Sequence, residues 1–188
     1  MKNNSGFSLI ELLVAVVIIS LISTIVLINY RQGRERFTLQ RSTHVLAQDI
    51  RIAQELAMRA EDFQGTVSRG GFGIHLTSAT SSYVLFADCD RDLEFDISGG
   101  AASCAVATTA NPFPEQLELR RLEGGVTIHS ISPSSPSTIV FIPPDPGTRI
   151  RAGGVTTTAI TITLGVIDDG VLATSTVSVN NAGLIDIR

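Results

Sequence analysis

Residues 12–30 read LLVAVVIISLISTIVLINY, nineteen positions without a charge between Glu11 and Arg31. At about 1.5 Å per residue, a helix of that length covers roughly 28 Å, close to the thickness of a bilayer's hydrocarbon layer. A helix packed on a protein core keeps one polar face, and this one has none. The stretch therefore reads as a membrane segment. A secretory signal peptide has a shorter apolar run and a small-residue exit site, and Leu27-Ile28-Asn29-Tyr30-Arg31 is a poor exit. A plain anchor accounts for the length but not for Glu11. An acid at the centre of a membrane segment costs about 2.5–3.5 kcal/mol, less near the interface, so it wants a cationic partner. Lys2 lies on one side of the run and Arg31, Arg34 and Arg36 on the other, so counting positive charges leaves the orientation open.

Upstream, Lys2-Asn3-Asn4-Ser5-Gly6 precedes Phe7-Ser8-Leu9-Ile10-Glu11-Leu12-Leu13. A short polar leader ending in glycine, then Phe-(Ser/Thr)-Leu-(Ile/Val)-Glu and an apolar run, resembles the class III signal of type IV pilins and type II secretion pseudopilins. The resemblance implies cleavage by a prepilin peptidase between Gly6 and Phe7, and N-methylation of Phe7 by the same enzyme. It also implies that Glu11 pairs with the Phe7 amine of a neighbouring subunit during assembly. A carboxylate in a low-dielectric bundle is tolerable when an ammonium meets it. The implied partners are the peptidase, other pilin or pseudopilin subunits, an inner-membrane assembly platform, and membrane lipid before assembly. The implied topology is a single-pass inner-membrane protein with its C-terminal domain outside the cytoplasm, later part of a filament.

Beyond Tyr30, Leu39, Thr43, Leu46, Ile50, Ala53, Ala57 and Ala60 recur in steps of four and three, one stripe on a helix. Arg41, Gln48, Asp49, Arg51, Gln54, Glu55, Arg59 and Glu61 fall opposite. No proline occurs before Pro112, so nothing forces the helix to stop at the membrane edge. The pattern predicts one helix from about Phe7 to Asp62, with Gly33 its weakest point and no sharp kink.

After Gly65 the period changes. Phe72–Leu76, Tyr83–Ala87, Gln116–Leu122, Val126–Ile131, Thr138–Ile142, Ala159–Leu164, Ala173–Val179 and Leu184–Ile187 read as strands between Gly, Pro, Ser and Asn turns; 132–137 and 142–147 read as loops. The expected fold is α+β: a long N-terminal helix, half membrane and half amphipathic, packed on a C-terminal antiparallel sheet or sandwich. The expected divisions are a leader at 1–6, the membrane and filament-core half of the helix at 7–30, its amphipathic half at 31–62 and a β-rich domain at 63–188. Within the pilin-like group, LAQDIRIAQELAMRA, then SYVLFAD, then a tail ending NNAGLIDIR look most like the GspH/FimT kind of minor subunit.

Asp88, Asp90, Asp92, Glu94 and Asp96 alternate through ADCDRDLEFD. Acids at first, third and fifth places resemble a calcium loop, with Asp88, Asp90 and Asp92 as the ligands. Against that stand Leu93, where such a loop carries a turn-forming glycine, and Gly99 in place of the final bidentate acid. The other reading is a solvated strand or hairpin edge with Leu93, Phe95 and Ile97 inward and the acids in water. Cys89 and Cys104 enclose fourteen residues. A disulfide across a loop that size is worth roughly 3 kcal/mol and suits a domain outside the reducing cytoplasm; two free thiols are the alternative.

No enzyme is expected. His44, His75 and His129 stand apart without an HExxH spacing, and there is no Gly-x-Ser-x-Gly elbow or P-loop lysine. No cofactor is expected apart from that calcium ion. Residues 63–188 hold seven arginines against twelve acids, so nucleic acid is not an expected partner, since duplex binding requires clustered cations. DNA uptake of the FimT kind is the alternative function. There the segment after Gly183 would carry the arginines, but here only Arg188 is basic and Asp186 sits beside it.

Overall fold

The computed structural model describes residues 8–63, 66–68, 70–96, 115–143, 147–168 and 170–188, with only the backbone described at 26–33, 66–67 and 168. Helix α1 runs without interruption from Leu9 to Met58. Ser8 caps it: its hydroxyl accepts from the Glu11 N–H at 3.3 Å and its carbonyl from the Leu12 N–H at 3.2 Å, satisfying donors that the first turn leaves open. The expected end at Asp62 is four residues late. Arg59 is the C-cap and Ala60 turns to φ 47°. Asp62–Phe63 (β1) then pairs with Thr66–Val67 (β2).

Two further antiparallel sheets follow. The larger comprises Gly71–Leu76 (β3), Ser82–Asp88 (β4), Gln116–Arg121 (β5), Ser137–Ile142 (β7), Gly147–Ala152 (β8) and Val155–Thr157 (β9), in the order β5-β4-β3-β7-β8-β9. The smaller comprises Thr127–Ser132 (β6), Ala159–Asp168 (β10), Val171–Asn180 (β11) and Ile185–Ile187 (β12), in the order β12-β11-β10-β6. The chain is thus an α+β fold, a long helix packed on antiparallel sheets. Seven of the eight expected strands recur within two residues at each end, and β10 runs four residues further. Strands β8 and β9, in the stretch Gly147–Thr157, were not foreseen.

One core holds the molecule together. Leu39, Leu46, Ala47, Ile50, Ala53 and Ala57 on α1 meet Phe72, Ile74, Leu85, Ile139, Phe141 and Ile150 from the larger sheet, and Ile128, Ile160, Ile162, Leu164, Val177 and Val179 from the smaller. Alternation puts these residues inward: on β10, Ile160, Ile162, Leu164 and Val166 are buried, while Thr161 faces out. The sequence stripe is correct to Ala57 and fails at Ala60, which lies past the helix and is exposed. It also misplaced Asp49, which is buried. Asp49 accepts the Tyr83 hydroxyl at 2.6 Å and stands 3.4 Å from Arg120 Nε, so a carboxylate joins the helix to β4 and β5. Paired burial of this kind is what makes an interior acid tolerable.

Candidate functional site

Three places on the chain carry chemistry. The first is the N-terminal half of α1. Leu9, Ile10, Leu12, Leu13, Val16, Val17, Ile18, Ile19, Leu21, Ile22 and Ile25 are all exposed. Ser20 and Thr24 return their hydroxyls to the carbonyls of Val17 and Ser20, so even the polar residues spend their hydrogen bonds on the helix itself. Glu11 sits in the first turn, where the positive end of the helix dipole favours a carboxylate. Gly6 and Phe7 lie outside the described residues. Among the described residues no helix is long and apolar enough to cross a membrane.

The second place is a strap formed by residues 89–96, which crosses the outer face of the larger sheet. Leu93 and Phe95 pack on Val84, Phe86 and Val140, as expected of the inward side of the acidic stretch; Ile97 lies outside the described residues. The strap is latched from the sheet: Thr138 donates to the Leu93 carbonyl at 2.6 Å, and Arg151 donates to the Asp92 carbonyl at 2.7 Å and pairs with Glu94 at 3.0 Å. It is a chain of turns rather than a strand. The Arg91 and Leu93 N–H groups donate to the Asp88 carboxylate at 2.7 and 3.2 Å, Asp92 N–H to Asp90 at 3.2 Å, and Glu94 N–H to Asp92 at 2.7 Å.

Asp88 therefore does not face water as the strand-edge reading required; it is fully buried. Its carbonyl oxygen and carboxylate lie so close to Gly70 that a Cβ there would stand 2.3 Å from that oxygen and 2.4 Å from Cγ, so only glycine fits. Glu115, which sequence reasoning missed, is buried and closes the strap at both ends. It accepts the Cys89 N–H at 3.0 Å and the Asp96 N–H at 2.9 Å. Burial, the foremost cause, raises the Asp88 carboxyl to about 6 and the Glu115 carboxyl to about 7. Asp96 is raised too, by desolvation and then by its acidic neighbours.

The three aspartates expected to act together divide between two groups. Asp88, Asp90 and Glu115 bring carboxylate oxygens within 4.8 Å of one another, as do Asp90, Asp92 and Asp96. Leu93, which had argued against a calcium loop, takes φ 68°, the left-handed conformation a glycine would supply there. Gly99 lies outside the described residues. Cys89 is buried and disulfide-bonded; Cys104 lies outside the described residues.

The third place is a cavity of about 210 Å³ beneath the strap, lined by His75, Glu94, Phe95, Thr138 and Arg151 among others. Burial lowers the His75 pKa, favouring the neutral ring, which tilts against Phe95 at 5.5 Å. His75 belongs to neither carboxylate group, and no catalytic arrangement forms around it among the described residues.

Residues 1–27 match the prokaryotic N-terminal methylation motif. The chain thus carries the leader signature of type IV pilins and pseudopilins, whose family is structural rather than enzymatic. No curated protein matches the chain, and no solved structure does.

Proposed function

We propose that the protein is a structural subunit, a minor pilin or pseudopilin of the GspH/FimT kind, of a type IV pilus or type II secretion filament. The observation that carries this reading is an exposed apolar helix, capped by Ser8 with Glu11 in its first turn, whose leading residues fall within the methylation-motif match at 1–27. Cleavage after Gly6 frees Phe7, whose methylated ammonium meets Glu11 of a neighbouring subunit. The run 12–30 spans the inner membrane first, and its transfer into a bundle of like helices retains its apolar surroundings while adding that ion pair. The β-rich domain stays outside the cytoplasm and on the filament surface. Prepilin peptidase, sister subunits and an assembly platform are the partners this reading requires.

The test is incorporation. Glu11→Ala in the full chain, expressed with the filament machinery, leaves leader removal intact and abolishes recovery in sheared filaments. Normal recovery of that variant contradicts the reading.

DNA uptake draws less support. Arg120 is held by Asp49 and Glu118, Arg151 by Glu94, and Arg188 by Asp186, so three of the domain's arginines already have carboxylate partners. For the strap the reading is a calcium-type cation on one of the two carboxylate groups, completed by carbonyls and water to the six to eight oxygens such an ion takes. Calcium at neutral pH then raises the melting temperature of the chelator-treated full chain; coincident melts with and without calcium remove the ion from the account.

A further inference from the structure

The cavity beneath the strap is built on one row of the larger sheet. His75, Thr138 and Arg151 are neighbours across β3, β7 and β8 and form its floor; Glu94 and Phe95 of the strap and Pro136 at the head of β7 complete its lining. The adjoining residues of the same strands, Ile74, Leu76, Ile139 and Ile150, point the other way, into the core shared with α1. The cavity therefore lies on the side of the sheet away from α1. It opens to solvent, since the Glu94 side chain in its lining is 47% exposed.

Three properties of the lining define what it accepts. The first is size. At about 210 Å³ the cavity is smaller than a pocket for a drug-sized ligand, so it takes one small molecule or the terminal unit of a larger one. The second is charge, which cancels. Arg151 stands 3.0 Å from Glu94, and burial favours the neutral His75 ring. An ionic ligand has to break that pair or bring an uncompensated charge into a partly desolvated place, and either is costly. The third is unused hydrogen-bonding capacity beside apolar surface. A guanidinium has five N–H donors and a carboxylate about four acceptor sites, and Arg151 commits one nitrogen to the Asp92 carbonyl at 2.7 Å and another to Glu94. Donors and acceptors thus remain side by side, an arrangement that suits hydroxyl groups, which give and accept at once. Phe95 and Pro136 add apolar surface. The C–H bonds on one face of a pyranose ring carry a slight positive charge and rest well on the negative face of an aromatic ring.

We infer that the cavity binds the ring of an uncharged sugar, a hexopyranose standing alone or as the terminal unit of a neutral glycan. Glu94 accepts from one hydroxyl while Arg151 donates to its neighbour, and Phe95 receives the C–H face. The ion pair stays intact, because a hydroxyl needs no counter-charge. Bundling of α1 helices in a filament turns the far side of the larger sheet towards the medium, so the cavity then faces outward. That outward placement rests on the filament reading above; the binding itself does not.

The test titrates the full chain, in a detergent without a sugar headgroup, with the methyl glycosides of glucose, galactose, mannose and N-acetylglucosamine. Saturation-transfer NMR should show saturable binding of at least one of them, with a Kd on the order of 1 mM. Glu94→Gln and Phe95→Leu, each verified as folded by thermal melts, should weaken that binding by about tenfold. Thr161→Ala, an exposed change on the smaller sheet, should leave it unaltered. No saturation by any of the four at concentrations well above that Kd overturns the inference, as does binding that ignores both strap variants. Preference for glycine, acetate or inorganic phosphate with the same dependence on Glu94 and Phe95 overturns the uncharged class. The placement is read separately: in assembled filaments, Glu94→Cys should take up a membrane-impermeant maleimide. Recovery of that chain in filaments without labelling overturns the outward placement alone, and absence of the native chain from filaments overturns the filament reading while sugar binding by the single chain stands.

Discussion

Asp88 and Glu115 invert the usual behaviour of carboxylates in a folded protein. Their pKa values, about 6 and about 7, stand above the ordinary 3.8 and 4.5, so the folded chain binds protons more tightly than the unfolded one. The stability they contribute is complete below about pH 4 and is lost as the pH rises through about 6–7. The full chain, free of divalent cations, should melt higher near pH 5 than near pH 8, by a swing on the order of 2–4 kcal/mol. Glu115→Gln should flatten that slope. A stability that rises steadily from pH 5 to pH 8 contradicts the assignment. Tyr83→Phe tests the other buried acid: without the hydroxyl, Asp49 loses its 2.6 Å donor, and unfolding becomes easier by about 1–3 kcal/mol. An unchanged urea midpoint would mean that water reaches Asp49.

Among the elements, α1 does two jobs with one backbone. Leu46→Ala opens a cavity where helix and both sheets meet and should cost about 2–5 kcal/mol. Val16→Ala, in the bare half, should leave the melting of the β-rich domain unchanged, and a matching loss would show that half packed on the domain. The strap is a weaker element, latched to the sheet by Thr138 and Arg151 and closed at its ends by Glu115. Arg151→Ala should raise amide exchange across 89–96 by about tenfold or more while β3 and β4 stay protected; uniform protection would deny the latch its role. These elements also mark where the sequence was legible. The stripe from Leu39 to Ala57 and the alternation in β10 and β11 announced themselves, because burial on one face leaves a period. Strand β8 did not: GTRIRA carries two arginines, and the Arg151 guanidinium serves the strap on the outer face while only Ile150 and the small Ala152 mark the buried side. Asp49 was unreadable because a charge on a helix is normally solvated, and only the fold brings Tyr83 and Arg120 to it. Glu115 was unreadable for the same reason, being 26 residues from the Cys89 amide it accepts.

The whole molecule divides its surfaces by environment. The domain buries its own core around α1, whereas the exposed side chains from Leu9 to Ile25 find no cover among the described residues. Under the proposed function, membrane and then filament would supply that cover, and the Phe7 ammonium would supply Glu11 with its counter-charge. The account therefore stands or falls on the chain's first residue in mature material. Intact mass and N-terminal fragment spectra of the native protein, taken from cells with active prepilin peptidase, should show a chain that begins at Phe7 with one methyl group on its amine. A chain that still carries residues 1–6 under those conditions contradicts the account.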